Sequence, residues 1–199
     1  MAMGDTIVPL AIFAFVGSFT PGPNNIMVTA SGTAFGFART VPHILGISFG
    51  FAVMVVAFGL GAGQLLQAYP AWHQWLRIVG ALYLLYLAWR IARAGDPGAA
   101  ESARRPLSFL EAALFQWVNP KAWTLALGVV VAFMAPGGSV ALQLAVIVGV
   151  FSATNVVSLA AWCAFGMAIR RFLSSPRALR ATNLAMAALL ALAVVLLFL

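Results

Sequence analysis

Asn119-Pro120-Lys121 places a helix breaker and a cation inside an otherwise apolar run from Phe109 to Met134. Asn119 followed by Pro120 reads as an N-cap with proline at the first helical position. A helix therefore restarts at Lys121-Ala122-Trp123, its free backbone N–H groups and positive dipole end directed into a cavity. Such a terminus suits an anion, a carboxylate above all, and Lys121 adds a full charge beside it. A second break, Thr20-Pro21-Gly22-Pro23-Asn24-Asn25, interrupts the first hydrophobic segment. There Pro21, Gly22 and Pro23 leave several carbonyls without helical partners, which suits a cation. Asn24 and Asn25 supply amides able to cap the restart or touch a ligand. The two breaks together match a zwitterion such as an amino acid.

A bland origin for each feature has to be weighed. A proline in a membrane helix is often a kink that neighbouring helices repair. Lys121 is also compatible with a purely structural role, bonded to carbonyls of the first break. A charged side chain at the bilayer centre costs about 2.5–3.5 kcal/mol, however, and two breaks that both place polar groups at depth point to a shared polar cavity. Asn155, within a later apolar segment, either joins that site or ties two helices together. His43, near the cytoplasmic end of the second span, reads as an interfacial residue rather than a proton carrier. Gly46-Ile47-Ser48-Phe49-Gly50 and Gly59-Leu60-Gly61-Ala62-Gly63 read as close-packing faces. Trp72, Trp75 and Trp89 read as interfacial belt residues.

The chain around these motifs has 199 residues, 63% apolar and 8% charged, with a mean hydropathy of +1.02. Soluble domains carry about 25% charged residues, so this is the composition of an integral membrane protein. The net charge of +7 and pI near 11.2 do not argue for nucleic acid, because the arginines cluster beside apolar segments. The single cysteine, Cys163, rules out an internal disulfide and a CxxC redox or zinc arrangement. No metal or cofactor site is implied. The first residues lack the positive region of a signal peptide, so the first span is expected to be retained.

At about 20 apolar residues per crossing, six spans are predicted: 6–34, 42–62, 76–89 (running on toward Arg93), 107–134, 140–167 and 178–199. The expected fold is all-α, with six transmembrane helices forming one membrane domain. Residues 94–106 form a cytoplasmic linker between three-helix repeats over 1–93 and 107–199. Thr20-Pro21 and Asn119-Pro120 lie 99 positions apart, and each breaks the first span of its half. An odd number of spans per repeat inverts the second copy and sets both breaks near the midplane, the pattern of secondary transporters. Nine arginines (39, 90, 93, 104, 105, 170, 171, 177 and 180) fall in the first, third and fifth connections, and only Arg77 on the other side. The positive-inside rule makes those connections cytoplasmic and both termini periplasmic.

At Thr20 to Asn25, Gly46 to Gly50, Phe115 to Trp123 and Asn155, the chain resembles the LysE/RhtB family of amino-acid exporters, over nearly its whole length. It departs from the family pattern at Ala112 and Ala187, where a glycine is frequent. The resemblance implies an inner-membrane secondary exporter of amino acids or related metabolites, driven by proton antiport and in many members homo-oligomeric. It carries no particular substrate across. On the residues themselves, an ion or metal exporter of the same architecture and an uptake carrier remain as alternatives. A redox relay lacks its second cysteine. An intramembrane enzyme lacks paired catalytic groups at depth. Only Glu111 among the acids falls within a span, so no carboxylate chain for proton relay is visible.

Overall fold

The computed structural model describes residues 3–62, 70–94, 105–173 and 175–196, with the backbone alone at 3–5, 70–73, 176 and 196. Within these residues the chain forms eight α-helices: α1 (Met3–Phe19), α2 (Pro23–Phe35), α3 (Phe37–Gly59), α4 (Pro70–Ala92), α5 (Phe109–Phe115), α6 (Pro120–Phe133), α7 (Val140–Phe172) and α8 (Pro176–Leu196). A 3-10 turn, Gln116–Val118, joins α5 to the break before α6. Four helices are long and apolar enough to cross a membrane: α3, α4 from Gln74, α7, and α8 from Arg177 to Val195. The α1–α2 pair makes a fifth candidate if counted as one span, bent by 57° at its break. α5 with its 3-10 turn and α6 are shorter apolar helices. Large hydrophobic side chains stand exposed on α1, α4, α6 and α8, among them Phe15, Leu82, Val131 and Leu192. Such a surface suits lipid. The protein is an all-α integral membrane protein.

Local sequence sets the helix boundaries. Pro23 occupies the first position of α2 and Pro120 that of α6, where a missing N–H is tolerated. Ser108 and Glu111 form a reciprocal capping box at the start of α5. Gly36, at φ 80°, ends α2 and starts α3 as a one-residue turn, a conformation that glycine adopts without penalty. That turn moves the second apolar helix upstream: α3 begins at Phe37 rather than Pro42, so Arg39 lies in its first turn and Pro42 inside the helix. α7 runs past Met167 to Phe172, because Arg170 is used there. Its Nη1 donates to Thr33 O and Ala34 O, both at 2.9 Å, and closes the C-terminal end of α2.

α1 and α2 both lie against α7, α5 and α6 both lie against α3, α3 meets α7, and α4 meets α8. Exchanging α1, α2, α3 and α4 for α5, α6, α7 and α8 in order turns the first two pairings into the next two and leaves the last two unchanged. Glycines permit the tightest approaches. A Cβ on Gly46 or Gly50 would overlap the Phe109 or Ala113 carbonyl of α5, and one on Gly166 would overlap the Thr29 carbonyl of α2. Gly59 packs on Leu144 of α7, but Gly61 has open space around it and a φ of 108°. It is a turn residue rather than a packing one, and Gly63 lies outside the described residues. Trp75 and Trp89 are exposed as belt residues should be; the Trp72 side chain lies outside the described set. His43 differs from expectation: only 1% of its surface is exposed. The ring packs beside Ser31 of α2 and borders a cavity.

The arginines converge. Arg39, Arg170 and Arg171 border one opening beside Phe35, and Arg90 and Arg105 border a cavity on which Phe35 also lies. Glu111 accepts from Arg105 at 2.6 and 3.0 Å and lies 3.5 Å from Arg90.

Candidate functional site

α1 cannot continue through Pro21 and Pro23, since neither has an N–H to return to the preceding turn. The last carbonyls of α1 must then find other donors, and side chains from three directions supply them. Asn25 Nδ2 donates to Ser18 O and Thr20 O, each at 3.0 Å. Ser158 Oγ of α7 donates to Ser18 O at 2.9 Å. Lys121 Nζ, across the protein on α6, donates to Thr20 O. Lys121 thus spans the two breaks. Its stem lies so close to Gly22 that a Cβ there would come within 2.6 Å of Lys121 Cδ.

A second tie is made of amides. Asn24 Nδ2 donates to Gln116 Oε1 at 2.8 Å, and Gln116 Nε2 returns a bond to Asn24 Oδ1 at 3.2 Å and another to Ala112 O at 2.9 Å. The start of α2 is thereby held to the turn before α6. Asn119 Oδ1 accepts from Lys121 N at 3.2 Å, the cap expected of it. Asn25 closes the end of α1 rather than the restart, while Gly22, the N-cap of α2, contributes no side-chain cap.

These groups border a small cavity lined by Gly22, Asn24 and Asn25 from the first break, Asn119 and Lys121 from the second, and Asn155 of α7, with Phe51 and Phe151 on its apolar side. Six of the nine predicted residues therefore meet at one place. Pro21, Pro23 and Pro120 do not line it; they act by shaping the backbone. Asn25 and Asn119 are almost fully buried, whereas Lys121, Asn24 and Asn155 are half-buried. Asn155 makes no hydrogen bond to the described residues, so it does not tie helices together as its alternative role required. Chemically, the wall offers carbonyl oxygens, amides and one ammonium within one ligand's reach.

Three participants were not singled out from sequence. Gln116, fully buried, stands in the motif before Asn119-Pro120, and a buried amide in an apolar helix was the available signal. Ser158 follows Asn155 by three residues, the spacing of one helix face. The third, Ser18, acts through its carbonyl, and nothing in its side chain announces that.

A polar cavity walled by two broken helices, inside an all-α membrane protein, is the architecture of a membrane carrier. The chain belongs to the LysE type translocator family, whose model matches residues 15–199. It is similar to the cysteine/O-acetylserine efflux protein of Salmonella choleraesuis (strain SC-B67), with 37% identity over 121 residues, covering 58% of this chain and 61% of that protein. Proteins of the same name from Escherichia coli (strain K12) and Shigella flexneri serotype 5b (strain 8401) are each 32% identical, over 109 and 120 residues. These matches cover 55% and 58% of this chain, and 55% and 61% of those relatives. The chain thus spans less than two thirds of these relatives' length. No solved structure matches it.

Proposed function

We propose that the protein is a secondary exporter of small amino acids, of the cysteine and O-acetylserine class, that works by alternating access about the cavity between the two breaks. The convergence of both breaks on one cavity, bridged by Lys121 and Thr20, carries this reading. The names of the similar efflux proteins support the substrate class. In the bound state Lys121 and the first N–H groups of α6 receive the substrate carboxylate. The carbonyls of Ser18 and Thr20, with Asn155, receive its ammonium. Substrate thus takes the place of the Lys121–Thr20 bond and changes how the two breaks hold one another.

The proposed frame is six spans in two inverted repeats, α1–α4 and α5–α8, joined through residues 94–106. The pairings that map onto each other when the halves are exchanged support it, as does the gathering of arginines from three connections. Those arginines mark the cytoplasmic side of the inner membrane, with both termini in the periplasm. Export is coupled to proton entry. A panel of labelled amino acids, O-acetylserine included, tested for exchange in vesicles holding purified protein decides the reading. Exchange of at least one small amino acid supports it, and exchange of none refutes it.

A further inference from the structure

His43 is almost fully buried on α3, and nothing in the site described above uses it. Its Nδ1 lies 3.3 Å from Ser31 Oγ of α2. Its Nε2 is buried without a hydrogen-bond partner among the described residues. The ring borders a small cavity shared with Ser31, Arg90 of α4 and Arg105. Among the described residues, the charged groups around it are Arg90 of α4 and Glu111 of α5, which lie 3.5 Å apart, and Arg105 on the shared cavity. α2 contains no titratable residue. Lys121 of α6 belongs to the other cavity, and Arg170 of α7 closes the end of α2. A polar atom left unpaired in an interior is unfavourable, and an ionisable side chain inside a membrane protein marks a working site more often than not. Imidazole is also the side chain whose ordinary titration falls between pH 5 and 8. Glu111, the one carboxylate nearby among the described residues, is engaged by Ser108, Arg105 and Arg90.

We propose that His43 is the proton-binding site of the exporter, loading one proton for each substrate moved; this rests on the exporter reading above. Only an N–H bond forms and breaks. Neutral imidazole has one donor and one acceptor nitrogen, and imidazolium donates from both. In the loaded ring both nitrogens carry hydrogen, so Ser31 accepts from Nδ1 and the hydrogen on Nε2 needs a partner, whichever nitrogen took the added proton. The cation is attracted by Glu111 and repelled by Arg90, so movement of α4 against α5 decides whether the proton stays. Ser31 sits about two turns beyond Asn24 and Asn25 on the same helix. α2 therefore links the imidazole mechanically to the substrate cavity.

The test compares wild type with His43→Gln in vesicles, using labelled O-acetylserine as probe. Exchange at equal pH on both sides reports substrate passage alone, and uphill movement under an imposed pH gradient reports coupling. His43→Gln is expected to keep exchange and to lose gradient-driven accumulation to the level of empty vesicles. Accumulation equal to wild type overturns the proposal, as does loss of exchange together with accumulation in a monodisperse protein. Wild-type exchange that no pH gradient can drive uphill overturns it too, while leaving the exporter reading intact. If the variant aggregates, or if wild type exchanges nothing, imidazole 15N spectra decide. In a His73→Gln background the remaining histidine is His43. A signal that titrates between pH 5 and 8 supports the proposal; an imidazole unchanged across that range overturns it.

Discussion

Replacing Lys121 with Met separates what the ammonium does for stability from what it does for transport. Met keeps an unbranched stem of similar length over Gly22, where there is no room for a Cβ, so the packing of the two breaks survives. Two opposing effects then act on stability. Losing the charge-assisted bond to Thr20 O costs about 1.5–3 kcal/mol. Removing a cation from the membrane interior returns about 2.5–3.5 kcal/mol on insertion scales. Thr20 O is not orphaned, because Asn25 Nδ2 still donates to it at 3.0 Å. The net change should fall within about 1–2 kcal/mol of zero and lean toward better insertion. Transport should nevertheless fall to background, because the group proposed to receive the carboxylate is gone. Denaturant unfolding in detergent measures the first quantity and amino-acid exchange in vesicles the second. A normally inserted Lys121→Met protein that transports like wild type removes Lys121 from the mechanism. One destabilised by more than about 4 kcal/mol would mean that the ammonium serves the fold.

Four further outcomes are expected. Asn25→Ala and Ser158→Ala each leave Ser18 O with one donor, whereas the double variant leaves it with neither; the double should be worse than the sum by about 1–2 kcal/mol in unfolding experiments, and simple additivity would contradict the shared carbonyl. Gly50→Val drives a side chain into the backbone of Ala113 and should destabilise by about 1–3 kcal/mol or prevent assembly; unchanged thermal stability would contradict the α3–α5 contact. Pro21→Ala with Pro23→Ala, and separately Pro120→Ala, should let helices close into stable but inactive proteins. Combining all three should add little to either loss of transport, as expected of parts that act as one unit; independent, multiplying losses would make the breaks separate hinges. Reporters fused at Gly98 and after Leu199 should read cytoplasm and periplasm respectively, and a reversal of either overturns the inverted topology.

The breaks were legible because proline and lysine violate the local rules of a membrane helix, so the sequence carries the departure on its surface. Pro21, Pro23 and Pro120 act within their own chain neighbourhood, and their effect on the backbone follows from covalent structure alone. Gly46 and Gly50 were legible for a related reason: a helix face without side chains has few uses besides close approach. What stayed hidden is pairing across the halves. That Lys121 would reach Thr20, or that Asn24 would exchange bonds with Gln116, depends on how two breaks far apart in sequence are aimed at each other. No residue type encodes that direction. His43 shows the same limit. A histidine near a predicted span end is interfacial if that span starts at Pro42, and buried once Gly36 turns the chain early and α2 folds back with Ser31 against it. Gly36, at φ 80°, makes the turn that brings α2 back beside α3. The early start of α3 and the burial of His43 both depend on how α2 and α3 meet, which the residue types around them do not spell out.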